Sequence, residues 1–140
     1  MSIMEGKIVW HLDSNLQTRR IICSNLERLG CIVVGFNNTD EIIDRLGAIE
    51  ANQLPSAVIT EVAGTTGKAD FAILSMLRRN QLTQNVPILV LTECTNDQDV
   101  SDGWQLGADC ILSKPFNPME VSAVLRRFFK SLEEYPPEPV

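Results

Sequence analysis

Five short runs of β-branched and other apolar residues recur along the 140-residue chain, each separated from the next by a stretch of helical periodicity. They are "KIVWHL" (Lys7 to Leu12), "CIVVGF" (Cys31 to Phe36), "AVIT" (Ala57 to Thr60), "VPILVLT" (Val86 to Thr92) and "CILS" (Cys110 to Ser113). Runs with so little polar alternation suit strands buried on both faces, which is the condition of a parallel sheet covered by helices. Parallel neighbours need a crossover rather than a tight turn, and such crossovers are right-handed. The pattern predicts an α/β protein: a doubly wound, five-stranded parallel sheet. With 44% of its residues hydrophobic, the chain has enough apolar side chains for one core and little room for a second.

The helical stretches have readable ends. Asp13 or Ser14 can cap a helix over "NLQTRRIICSNLERL", with Leu16, Ile22, Cys23, Leu26 and Leu29 toward one side, and Gly30 stops it. Asn38 and Glu41 have capping-box spacing before Ile42, Ile43, Leu46 and Ile49. A loop from Val62 to Lys68 precedes a third helix carrying Phe71, Leu74 and Leu77. A weakly patterned fourth surrounds Val100, Trp104 and Leu106, with Trp104 expected in the core, and ends at Gly107. The fifth has Val121, Val124, Leu125, Phe128 and Leu132 at helical spacing, with Arg126, Arg127 and Lys130 as a solvated face. The domain is expected to cover residues 1–132. Residues 133–140, the acidic, proline-rich "EEYPPEPV", read as a disordered tail or the start of a linker.

Several function classes are disfavoured. Eighteen acids against twelve bases, a net charge of −6, argue against a binder of the nucleic-acid backbone, whose footprint would be a basic face. No apolar run approaches the roughly 20 residues that span a bilayer, and Glu5 stands where a signal peptide needs a basic flank. A soluble, cytoplasmic protein is expected. Cys23, Cys31, Cys94 and Cys110 are far apart and His11 is the lone histidine, so neither a zinc site nor a redox dithiol is written here. The expectation is free, mostly buried thiols. "VAGTTG" lacks the P-loop lysine and the G-x-G-x-x-G spacing, so it is a weak phosphate cradle.

In doubly wound sheets, functional groups gather at the carboxyl ends of the strands. Asp13, Glu61 and Thr92 fall there. Together with "VPILVLT", "GADCILSKPF" and five β-α units from Lys7 to about Leu132, they resemble the receiver domain of two-component response regulators. The resemblance implies a flavodoxin-like fold with strand order 2-1-3-4-5. It also implies a site made of an acid pair that binds Mg²⁺, an aspartate that accepts a phosphoryl group, a Thr or Ser and a Lys on the phosphate, and an aromatic switch on the fifth strand.

Carried onto this chain, the pattern is broken in four places. Glu61 takes the phosphoacceptor position, its carboxylate about one bond (roughly 1.5 Å) further from the backbone than an aspartate's, which displaces a nucleophile that must sit in a narrow geometry. Asp13 and Ser14, or with a one-residue shift Leu12 and Asp13, take the places of the acid pair, so one carboxylate is missing either way. Asp13 and Glu61 remain as weak metal candidates, and Mg²⁺ depends on carboxylates. Glu93 follows Thr92 where the family has a small residue, bringing bulk and like charge against a phosphate. Ile111 stands at the aromatic switch position. Lys114 is retained and is expected to pair with Glu61.

These departures predict a pseudo-receiver that is not an enzyme and needs no cofactor. It would act independently of phosphorylation by binding itself, an output domain or a separate protein through the fourth helix, fifth strand and fifth helix. Glu61 either fixes an active-like state or is a drifted site that keeps an acid for Lys114. The alternatives are a working phosphoacceptor with shifted chemistry and a small-molecule binder on the same sheet.

Overall fold

The computed structural model describes residues 2–62, 71–94 and 96–134. The loop predicted from Val62 to Lys68 lies, beyond Val62 itself, outside the described residues, as do the last six residues of the tail.

Strands β1 (Ile8–Leu12), β2 (Ile32–Phe36), β3 (Ala57–Val62), β4 (Ile88–Thr92) and β5 (Cys110–Ser113) alternate with helices α1 (Leu16–Arg28), α2 (Thr39–Leu46), α3 (Ala72–Arg79), α4 (Asp97–Gln105) and α5 (Pro118–Glu134). All four strand pairings are parallel, and the sheet order is β2-β1-β3-β4-β5. The predicted doubly wound, flavodoxin-like topology is the one observed.

The period of two along each strand divides the core. Val9, Ala57, Ile59, Leu89 and Leu91 face one way and pack with Ile22 and Leu26 of α1 and Val121, Val124, Leu125 and Phe129 of α5. Trp10, Leu12, Val58, Val62, Ile88 and Val90 face the other way, against Ile42 and Leu46 of α2 and Ile73, Leu74 and Leu77 of α3. Trp10 meets Phe36 edge to face at 5.3 Å between ring centroids.

The helix ends follow their sequence signals with some corrections. Asn15 caps α1, its side chain accepting from the Thr18 N–H at 3.0 Å, where Asp13 or Ser14 was expected. Asp13 is drawn back into the sheet edge and accepts from the Asn15 N–H instead, at 2.8 Å. Asn38 caps α2, but the return arm of the box goes to Asn37, whose N–H and side-chain amide both donate to Glu41. Gly30 and Gly107, at φ +97° and +112°, end α1 and α4 in the left-handed region that a side chain resists. Helix α5 continues through Glu133 and Glu134. Its most buried aromatic is Phe129, one residue after the partly buried Phe128.

Trp104 does not enter the core. It is 49% exposed, because α4 turns Gly103 inward, where a side chain would meet Ile111 and the Phe71 ring. Arg126, Arg127 and Lys130 are exposed, as a solvated face requires.

Candidate functional site

The register of β1 on β3 pairs Leu12 with Thr60, so the next residues along, Asp13 and Glu61, stand beside one another at the carboxyl edge. Both share the strand parity of Val9 and Ile59 and emerge on the α1/α5 side. Two carboxylates set side by side repel unless a cation joins them. β5 ends one residue before Lys114, whose own N–H donates to the Thr92 carbonyl at 2.9 Å and fixes its backbone at the tip of β4. From there the long side chain crosses the strand tip.

The Lys114 ammonium donates to Glu61 Oε1 at 2.9 Å and to Asp13 Oδ2 at 3.2 Å. The second Glu61 oxygen, Oε2, accepts from both the backbone N–H (3.2 Å) and the hydroxyl (3.1 Å) of Ser14. Ser14 thus completes the cluster as a donor. Sequence reasoning placed Ser14 here as the remnant of an acid pair and had no signal for its bond to Glu61.

The site is dry at its root and wetter at its rim. The side chain of Asp13 is 0% exposed, that of Lys114 15% and that of Glu61 20%. Burial alone would raise Glu61, but the hydrogen bonds from Lys114 and Ser14, together with the Lys114 charge, hold its carboxyl below the usual range. Asp13 goes the other way: burial pushes it up, the Asn15 N–H opposes, and the neighbouring Glu61 charge adds to the rise. Burial would lower Lys114, yet the bond to Glu61 and the charges of both acids hold its ammonium above the ordinary lysine value. One ammonium between two acids leaves the cluster with a net negative charge when both are ionised.

Not every predicted pocket residue joins this cluster. Thr92 is buried, but its hydroxyl donates to the Val62 carbonyl at 2.7 Å and accepts from the Cys94 N–H at 3.0 Å, tying β4 to the end of β3. Glu93 is exposed just beyond it. Ile111 is partly buried and packs with the cluster that holds Phe71 and Val90. Lys114-Pro115 is a cis peptide bond.

The donor set does not fit a resident Mg²⁺. Asp13 and Glu61 are the available carboxylates, the cation between them is already the lysine ammonium, and the free Glu61 oxygen is taken by two donors. Among the described residues no group of three or more His, Cys, Asp or Glu side chains is placed to hold a metal ion.

Sequence reasoning missed two residues. His11, which the sequence marked only as the lone histidine, is fully buried with neither ring nitrogen hydrogen-bonded, and Nε2 is 4.0 Å from Asp13 Oδ2. Arg78 is the other. Its guanidinium donates to the carbonyls of Gly107, Val86 and Gln84 and to Asp109, joining α3 to the starts of β4 and β5. An arginine in the last turn of a helix carries no sequence mark that distinguishes such a staple from a solvated charge.

No family model matches the chain. It is similar to the phosphate regulon transcriptional regulatory protein PhoB of Pseudomonas aeruginosa, 29% identical over 130 residues that cover 89% of this chain and 54% of that one. In fold it is similar to the chemotaxis response regulator CheY4 of Vibrio cholerae, with a TM-score of 0.75, 23% identity, and coverage of 88% of this chain and 98% of that one. It is also similar to the receiver domain of sensor histidine kinase PA1611 of P. aeruginosa, solved with a magnesium ion in its active-site cleft. There the TM-score is 0.74, the identity 21%, and the coverage 90% of this chain and 99% of that one. In fold the chain is a CheY-like, flavodoxin-like domain of five β-α units, and its sequence is similar to those of response regulators. It spans about half the length of the curated relatives it matches. No helix among the described residues is long and apolar enough to cross a membrane.

Proposed function

We propose that this receiver-like domain signals without phosphoryl transfer, as a module that binds protein. Glu61 stands at the phosphoacceptor position and its carboxylate is held by Lys114 and Ser14, so the tie that a phosphoryl group would make to the lysine is made by the side chain itself. The 2.9 Å contact between Lys114 and Glu61 carries this reading. The imitation is partial, since a carboxylate brings one charge and two oxygens where a phosphoryl group brings nearly two charges and three. Mg²⁺ binds weakly if at all, for want of a second free carboxylate.

The surface offered to a second copy or to an output domain is the α4-β5-α5 side. In support, three of the large apolar side chains that the fold leaves in water, Trp104, Leu106 and Met119, lie on these elements, with 49%, 41% and 72% of their surfaces exposed. The test is titration of the chain with Mg²⁺ and beryllofluoride followed by amide NMR. Unmoved resonances at Asp13, Ser14, Glu61 and Thr92 are the expected result. Saturable shifts there, or label taken up from a phosphoryl donor, would return the domain to phosphoacceptor chemistry.

A further inference from the structure

A hollow of about 340 Å³ lies between α1 and the β1/β2 part of the sheet. It exists because β2 is an edge strand and Gly35 puts no side chain into the space beneath α1. The stem of Arg19 passes over that gap: a Cβ built on Gly35 would meet Arg19 Cδ at 3.8 Å. Two polar groups bordering the hollow are unmet. The Nε of Arg19 is buried without a hydrogen-bond partner, and so are both ring nitrogens of the fully buried His11. Buried donors and acceptors are normally satisfied, by protein, solvent or ligand, because leaving them bare forfeits their hydration. An unmet imidazole and an unmet guanidinium N–H on one cavity, with Val33 and Gly35 as apolar walls, together define a ligand chemistry.

We propose that this hollow binds a small carboxylic acid with an apolar body of aromatic size, its carboxylate taken by Arg19, its body against Val33 and Gly35, and His11 as a hydrogen-bonding floor. Guanidinium and carboxylate form the charge-assisted pair the cation calls for. The volume lies at the small end of ligand pockets and holds about ten non-hydrogen atoms. The thiol on the wall is not set up to react: burial, with the bond from the Cys23 thiol to Glu27 Oε1 at 3.0 Å, pushes it up to about 11, so it stays protonated. Because His11 Nε2 is 4.0 Å from Asp13 Oδ2, an occupant touching His11 is one residue from the Lys114 cluster. The site itself stands on other residues and does not depend on how Glu61 is read.

The experiment titrates the isotopically labelled chain with sodium benzoate, phenylacetate and cyclohexanecarboxylate to millimolar concentration at fixed pH and ionic strength. Saturable amide shifts are expected at Val33, Gly35 and the α1 residues from Arg19 to Ser24, with movement of the Arg19 Nε–H. Gly35→Val, which puts a branched side chain into the hollow against the Arg19 stem, and Arg19→Gln, which removes the cation, are each expected to weaken binding by about tenfold or more, both variants remaining folded by thermal denaturation. Benzamide is expected to bind about tenfold more weakly than benzoate. No localised shift with any of the three acids, or shifts that survive Gly35→Val, would mean that the hollow holds solvent only and would overturn the proposal. Equal binding of benzamide and benzoate would overturn the carboxylate assignment.

Discussion

The ammonium of Lys114 lies 2.9 Å from Glu61 Oε1, across a distance of 53 residues in the chain and past the tip of the strand between them. That contact closes the carboxyl edge of the sheet on itself. A cation and an acid so placed have spent their strongest interactions on each other, and any incoming anion or metal must first separate them.

Lys114→Met should destabilise the fold by about 2–4 kcal/mol at neutral pH. It leaves the wholly buried Asp13 beside Glu61 with no cation, and removing one partner of a buried pair costs more than the pair contributes. The partial exposure of Glu61 tempers the figure. Urea unfolding at pH 7 and again near pH 4 measures it. The loss should shrink at the lower pH, where protonation relieves the repulsion. An equal loss at both values would mean that the lysine acts through packing alone.

Glu61→Asp draws the carboxylate back by about 1.5 Å, which stretches both the Lys114 and Ser14 contacts beyond hydrogen-bonding length. Stability should fall by roughly 1–2 kcal/mol. The amide of Ser14 should move most in the NMR spectrum. If this variant then responds to Mg²⁺ and beryllofluoride while the parent does not, the glutamate alone keeps the phosphate site shut. If neither responds, Glu93 and Ser14 suffice to close it.

His11 should make the fold acid-sensitive. Burial, then the charges of Arg19 and Lys114, push its imidazole down to about 4, against the opposing pull of Glu61. The folded value lies below the unfolded one, so the stabilisation is full above the unfolded value of about 6.5 and is lost as pH falls from there toward 4. The shift amounts to about 3 kcal/mol. Asp13, raised in the fold, works in the opposite sense through its own range and returns part of the loss at the acid end. His11→Leu should flatten the curve of unfolding free energy between pH 7 and 5. A slope unchanged by the substitution would place the proton elsewhere.

Arg78→Met should cost about 3 kcal/mol, because it frees the Gly107, Val86 and Gln84 carbonyls and the Asp109 carboxylate together. Thermal unfolding measures this. A change within about 0.5 kcal/mol would make the arginine an ordinary surface charge.

Trp104→Ser should leave stability within about 0.5 kcal/mol of the parent, since the side chain is half exposed, and should abolish self-association or capture of an output domain. Sedimentation of the two proteins side by side separates these effects. If association survives the change, the α4 surface is not where partners meet.

The order of elements and the two-sided burial of the strands were legible in the sequence, since they follow from apolar runs and helical spacing, which are properties of neighbours along the chain. The pairing of Lys114 with Glu61 was also within reach, because opposite charges brought to one sheet edge have few other partners. Other features were decided only by the folded chain. Asn15 rather than Asp13 caps α1, because Asp13 is held down by Lys114 while its other oxygen takes the Asn15 N–H. Trp104 turns outward because Gly103 must face Phe71 and Ile111. His11 loses every hydrogen-bond partner because the register of β1 against β2 and β3 sets it beside Gly35 and Ile59, neither of which has a side chain able to answer it. Sequence thus determined which residues are apolar and how they repeat, and with that the alternation of strands and helices and the parallel sheet it requires. Which polar groups find one another across the sheet edge depends on register and strand order, which bring residues from distant parts of the chain within about 3 Å. Local spacing carries no record of that distance.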